Sequence, residues 1–226
     1  LKIHTDKILH SPDLCAITLA GNLVSEPQIR YQANPVLAIA DITLATHSRW
    51  YDKVSNSYKE WTNYHAVKVV GDVVEKSLLY AEKGQVVLIQ GHLSFQKAKV
   101  DKPSKELLLA TFVKVFTKGY SQEINQFHCS GTLTSTFSLK TTENNKMFAE
   151  ALISISQQTQ TSHDQQKHVF TIQRPVHVWG KQAQYLSENA QIGDNLIIEG
   201  KLNYLKNTEK SQFIEAKQII FSKEVK

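Results

Sequence analysis

The sequence predicts an all-β fold of two tandem five-stranded barrels, each carrying one helix between its third and fourth strands. Two observations carry this. The first is an internal repeat: at an offset of 109, Gly71, Ala81, Gly84, Ile89, Gly91, Leu93 and Lys97 fall on Gly180, Ala190, Gly193, Ile198, Gly200, Leu202 and Lys206. At an offset of 110, Gly21, Leu23 and Ser25 fall on Gly131, Leu133 and Ser135, so the copies differ by about one loop residue. The second is the pattern inside each copy, short apolar or alternating runs rich in β-branched residues and interrupted by one helical stripe.

In the first copy the strand segments are Leu14 to Leu23, Val36 to Thr46, Thr62 to Val70, Gln85 to Phe95 and Leu107 to Phe116. Between the third and fourth, residues 72 to 83 place Val74, Leu78 and Ala81 on one helical face, and Gly84 stands where a helix C-terminus favours glycine. The second copy repeats the order, with strands near 127 to 137, 147 to 156, 168 to 179, 195 to 204 and 212 to 221 and a helix near 181 to 191. Strand, strand, strand, helix, strand, strand is the order of an OB-fold. The domains expected are residues 1–120 and 126–226, joined through a polar bridge that includes Ser121, Gln122, Glu123 and Asn125.

Composition narrows the function. With 226 residues and 41% apolar content the chain is long and apolar enough to bury two cores. Lys and Arg number 26 against 21 Asp and Glu, a net charge of +5, which favours an anionic partner and makes nucleic acid the first candidate. The two cysteines, Cys15 and Cys129, are too few for a disulfide framework or a four-thiolate zinc site, fit a reducing compartment, and read as small core residues. No run is long enough for a membrane span. Walker-type Gly-Lys-Ser/Thr, zincin His-Glu, paired cysteines and Gly-x-Ser-x-Gly are all missing, so no enzyme, cofactor or metal is expected. His163, Asp164 and His168 lie in a Gln- and Thr-rich stretch that reads as a polar hairpin rather than a ligand set.

Binding single strands without reading sequence needs cations that follow phosphates and flat rings on which bases stack. Arg49-Trp50-Tyr51-Asp52-Lys53 and Tyr58-Lys59-Glu60-Trp61-Thr62-Asn63-Tyr64 make an aromatic, partly basic hairpin between the second and third strands. If Val67 and Val69 face the core, alternation turns Tyr64, Ala66, Lys68 and Val70 outward. Trp50, Tyr64 and Lys68 are then expected on one face with Arg49 and Lys53 on its hairpin, and Phe95, Lys97 and Lys99 extend the track. The second-copy set is Arg174, His177, Trp179, Lys181, Tyr204 and Lys206. Trp61, by parity, belongs on the core side, and Trp50 and Trp179 each have a core-lid reading beside the binding one.

At these residues the sequence resembles the bacterial and mitochondrial single-stranded DNA-binding proteins. Ile17-Thr-Leu-Ala-Gly-Asn-Leu-Val-Ser-Glu-Pro-Gln-Ile-Arg-Tyr31 looks like their first strand and turn, and Ala40-Asp-Ile-Thr-Leu-Ala-Thr46 like their second strand. The likeness continues through Trp50, Tyr64-His65, Gly71, Lys83-Gly84 and Gly91, and returns in outline at Val178-Trp179-Gly180-Lys181 and Ile198-Glu-Gly-Lys-Leu202. It implies that Trp50 and Tyr64 stack bases and that His65 lies at a subunit interface. Val70 stands at a third-strand stacking position where the second copy keeps Trp179, and Ala98 stands where the fourth-strand hairpin carries an aromatic, with Phe95 the nearest ring.

The expected function is therefore sequence-independent binding and protection of single-stranded DNA in replication, recombination or repair, in the cytoplasm at the nucleoid, or in an organelle matrix if a targeting peptide has been removed. RNA is the other candidate strand, since base stacking is similar for both. The resemblance further implies a homodimer presenting four OB domains. The alternative is that the two copies of one chain satisfy that interface internally. Replication and repair enzymes are implied as partners through an acidic tail, whereas this sequence ends Ser222-Lys-Glu-Val-Lys226. A rival reading is a structural or RNA-binding OB subunit of a nucleoprotein assembly, such as an organellar ribosome or RNA-processing complex.

Overall fold

The computed structural model describes residues 11–96, 105–142, 145–161, 164–205 and 212–222. The first copy runs β1 (Cys15–Leu23), β2 (Gln28–Gln32), β3 (Leu37–Asp52), β4 (Ser57–Val70), α1 (Asp72–Ser77), β5 (Gln85–Gln96) and β6 (Lys105–Lys118). The second runs β7 (Ile124–Leu133), β8 (Ser138–Thr141), β9 (Met147–Thr161), β10 (Asp164–Trp179), α2 (Gly180–Asn189), β11 (Asn195–Tyr204) and β12 (Gln212–Ser222). In each copy the first long strand pairs on both sides and closes a barrel. β1 pairs with β3 and β5, and β7 with β9 and β11. The parallel contacts β4–β6 and β10–β12 complete the two circuits.

Alternation builds the cores as expected, with Ile17, Leu19, Val67, Val69, Val87 and Ile89 buried in the first barrel and Ile153, Ile155, Val176, Val178, Leu196 and Ile198 in the second. Gly21 and Gly131 sit where the first strand of each copy crosses onto its neighbour. A side chain at Gly21 would strike the carbonyl of Ala45, and one at Gly131 that of Ser154. Glycine here is a requirement of close backbone approach.

The structure departs from the sequence reading in three places. Each copy has an additional edge strand, β2 and β8, whose residues are almost wholly exposed and so lack an apolar period to betray them. The hairpin strands reach beyond the barrel, β3 to Asp52 and β4 from Ser57, because paired rings and a side-chain-capped turn support them without a core. Helix α1 ends at Ser77 rather than near Lys83. Val74, Leu78 and Ala81 are all buried as the stripe predicts, but the chain continues past Leu78 as a turn, with the Ala81 amide donating to the Leu78 carbonyl at 3.1 Å. Gly84, at φ +86°, closes that turn and donates its amide to Leu23 of β1 at 2.9 Å.

The two copies join through one antiparallel strand pair, β1 with β7, in register from Cys15 opposite Cys129 to Ala20 opposite Ile124. This makes one continuous twelve-stranded sheet. Side chains seal the seam. Asp13 accepts from the Ser130 hydroxyl and the Ser156 amide, each at 2.7 Å, and Lys201 pairs with Glu123 at 2.6 Å. Burial works against ionisation of Glu123, yet the Lys201 and Ser48 hydrogen bonds prevail and hold its carboxyl below the usual range. Among the described residues, no helix is long and apolar enough to cross a membrane.

Candidate nucleic-acid interface

The β3–β4 hairpin is the most aromatic exposed element of the first copy. Its register pairs Trp50 with Lys59, Tyr51 with Tyr58 and Ala45 with Tyr64. Asp52 organises the tip: its carboxylate accepts from the Val54 amide at 3.2 Å and the Ser55 hydroxyl at 2.8 Å, and pairs with Lys59 at 2.5 Å. The Lys59 and Ser55 hydrogen bonds pull the Asp52 carboxyl down to about 2. Lys53 lies exposed in that turn.

Alternation divides the hairpin's rings between its faces. Tyr64 and Lys68 share a face, as expected, and Arg49 joins them with its guanidinium 4.5 Å from the centre of the Tyr58 ring. Tyr51 meets Tyr58 edge-on at 5.3 Å on the same side. Trp50 does not belong to this face. Its parity sets it with Ser48 and Lys59 on the opposite side, the side of Trp61 and Asn63, so the single face expected for Trp50, Tyr64 and Lys68 is two faces of one ribbon. Both sides are accessible: Trp50 is 46% exposed, Tyr58 65% and Tyr64 59%. Trp61 is half-buried and donates its indole N–H to Asn63 at 3.1 Å, in keeping with its core-side parity.

Sequence reasoning placed no functional weight on Tyr120. In the segment between the copies, this 65% exposed ring stacks on His47 of β3 at 5.7 Å. The segment follows β3, with the Glu123 amide donating to the His47 carbonyl at 3.1 Å. Tyr120 thereby extends the Tyr58–Tyr64 face, and only the fold brings it there.

Three residues of the basic and aromatic track read from the sequence are held in the seam between the copies instead. Arg174 is buried, pairs with Glu106 of the first copy at 2.5 Å and donates to Gln212 and the Gln173 carbonyl. Its parity on β10 is that of the core residues Ile172 and Val176, so its charge is spent within the seam. Tyr204 turns its ring edge to His65 at 5.3 Å and accepts a hydrogen bond from Gln212 at 2.8 Å, and burial pushes its hydroxyl pKa up. Phe95 stacks on Phe170 at 6.0 Å, so it fills the join between copies rather than replacing a hairpin ring. His65, expected at a subunit interface, is fully buried within this chain between Thr46, 3.2 Å away, and Tyr204.

Trp179 and Lys181 remain accessible. Trp179, 40% exposed, leans on Phe148 at 5.0 Å, and Phe148 packs in turn on His177. Lys140 and His177 both meet the Glu150 carboxylate, at 2.9 and 2.8 Å. The second copy thus offers its rings at the helix end of its sheet, where the first has Val70, while the first offers them at its hairpin. Lys97, Lys99, Lys206 and His163 lie outside the described residues. Among the described residues no group of three His, Cys, Asp or Glu side chains could hold a metal ion.

Comparison with known proteins agrees with the fold of two related copies. The model of the Single-strand binding protein family matches residues 14–113 and again 124–225. The structure is similar to that of a deletion variant of the single-stranded DNA binding protein from Thermus aquaticus, with a TM-score of 0.73, 25% identity and coverage of 95% of this chain and 97% of that one. It is similar also to the wild-type Thermus aquaticus protein, with a TM-score of 0.71, 23% identity and 96% of each chain covered.

Proposed function

Since the chain belongs to the single-strand binding protein family, we propose that it binds single-stranded DNA without sequence preference, coats it and breaks no bond. The observation that carries this reading is the exposed face of Tyr51, Tyr58 and Tyr64 with Arg49 and Lys68, continued by Tyr120. Rings at such spacing receive bases, and the neighbouring cations meet phosphates. Trp50 with Lys59 on the hairpin's other side, and Trp179 with Lys181 in the second copy, give a bound strand further platforms. No base edge needs to be read for any of these contacts, which fits protection of exposed strand during replication, recombination or repair in the cytoplasm.

Titration of Trp fluorescence with single-stranded and blunt duplex oligonucleotides at several salt concentrations tests the proposal. Binding should favour the single strand and weaken with salt, with a slope of about −0.7 per neutralised phosphate. Equal or tighter binding of duplex refutes it.

The chain further acts, in this reading, as a homodimer presenting four barrels. Its outer sheet face, β6-β5-β1-β7-β11-β12, carries Phe112, Phe116, Ile124, Ile197 and Ile220, each 42–57% exposed, around a polar centre of Gln90, Thr18 and Gln126. A second copy of this face related by a two-fold axis would cover those apolar groups. Sedimentation of the 25.6 kDa chain should give a species of about 51 kDa, and a Phe112→Asp, Ile197→Asp variant should stay monomeric.

A further inference from the structure

The two cysteines of the chain stand in non-equivalent places in the repeat, yet the antiparallel register of β1 and β7 sets them directly opposite each other. We propose that Cys15 and Cys129 form a modification site, a dithiol that closes into a reversible disulfide across the seam when the protein meets a small peroxide.

The geometry of the strand pair favours this. The Ser130 amide donates to the Leu14 carbonyl at 3.0 Å, which makes Leu14 and Ser130 the hydrogen-bonded pair and Cys15 and Cys129 a non-hydrogen-bonded one. In that kind of pair the Cα atoms approach to about 4.5 Å, inside the range a disulfide spans, and both side chains leave the same face of the sheet. Both thiols are free and buried on the core side, Cys15 9% exposed and Cys129 not at all. No other cysteine competes for either partner.

The reaction balances with hydrogen peroxide as oxidant. Cys15, the first residue of β1 and the more exposed thiol, gives up its proton to solvent. Its sulfur attacks one peroxide oxygen, the O–O bond breaks, and the departing hydroxide takes up a proton to leave as water. The Cys129 sulfur then attacks the resulting sulfenic sulfur. The S–O bond breaks, and the leaving hydroxide takes the Cys129 proton as a second water. Two thiols lose two electrons in total, and one peroxide gains them. Burial pushes the Cys15 thiol up to about 11 and the Cys129 thiol higher still, so both are protonated at neutral pH and closure is slow. Cys15, 9% exposed against a fully buried Cys129, is the thiol that peroxide reaches first.

Once formed, the bond ties the first strand of one copy to the first strand of the other. It encloses nearly all of the first copy in a covalent ring, so separation of β1 from β7 is no longer open to the native chain. This inference does not depend on the DNA-binding proposal.

The test uses the full chain. After prolonged incubation in millimolar hydrogen peroxide, the protein is denatured with an alkylating agent and its mass measured intact and after non-reducing digestion. The expected result is loss of two hydrogen atoms, no alkylation, and a Cys15–Cys129 linked peptide that dithiothreitol releases. Its thermal midpoint should stand roughly 5–10 °C above that of the reduced chain and return on reduction. Cys15→Ser and Cys129→Ser should each gain oxygen at the remaining thiol instead. Thiols that stay fully alkylatable, sulfinic acid at either position in the wild-type chain, disulfides between chains, or a midpoint that falls on oxidation would each overturn the proposal.

Discussion

Acid should loosen the seam between the copies through His65. The ring is fully buried, its Nδ1 has no hydrogen-bond partner, its Nε2 lies 3.2 Å from the Thr46 hydroxyl, and its edge meets Tyr204. Burial lowers its pKa from the ordinary 6.5 to about 4, and the nearby Glu123 carboxylate only partly opposes this. The unfolded chain therefore takes up a proton near pH 6.5, and the folded chain does so only near pH 4. Between those values the unfolded state binds more protons, so stability is fully present above 6.5, falls as the pH drops through the window, and levels off below about 4. At 1.36 kcal/mol per pKa unit the whole loss amounts to about 3 kcal/mol. Urea unfolding of the wild-type chain and of His65→Leu at neutral pH and near pH 4 isolates this contribution, because the other titrating groups are common to both. The wild-type chain should lose about 3 kcal/mol more than the variant across the window. Equal losses in the two proteins would show that His65 is solvated or already charged in the fold, and the reasoning would fail.

Three further outcomes follow from the same geometry. Arg174→Ala, which strips the seam of its pair with Glu106 and takes the donor from the Gln212 side-chain oxygen, should cost about 2 kcal/mol of stability in denaturant melts while the affinity of the folded protein for single strands stays nearly unchanged. Tyr64→Ala and Tyr58→Ala should do the reverse, leaving the melting curve close to wild type and weakening oligonucleotide binding by roughly 1–3 kcal/mol each in fluorescence titration. Gly21→Ala drives a methyl group into the Ala45 carbonyl where the barrel closes, so a thermal midpoint within a degree of wild type would contradict the close approach of β1 to β3.

What the sequence determined by itself is the part governed by local periodicity. The repeated glycines, the alternation of Val67 and Val69 with Tyr64 and Lys68, and the stripe of Val74, Leu78 and Ala81 each reflect a constraint that acts within a few residues, so two barrels with one helix apiece were legible. The same local signal identified the Arg49-to-Tyr64 hairpin as aromatic and basic. It could not divide the hairpin's rings between faces, because that division depends on the register of β3 against β4, where Ala45 rather than a residue of Trp50's parity stands opposite Tyr64.

Only the tertiary structure decided which cations and rings are available to a ligand. Arg174, Tyr204 and Phe95 have the residue types of a nucleic-acid track, yet the docking of one copy on the other commits them to Glu106, Gln212, His65 and Phe170. Tyr120 is the converse case, a residue of the segment between copies carried beside His47 by the course of the chain. Cys15 and Cys129 face each other for the same kind of reason: an antiparallel strand pair matches residues by their distance from its centre, a quantity that no spacing within either strand contains.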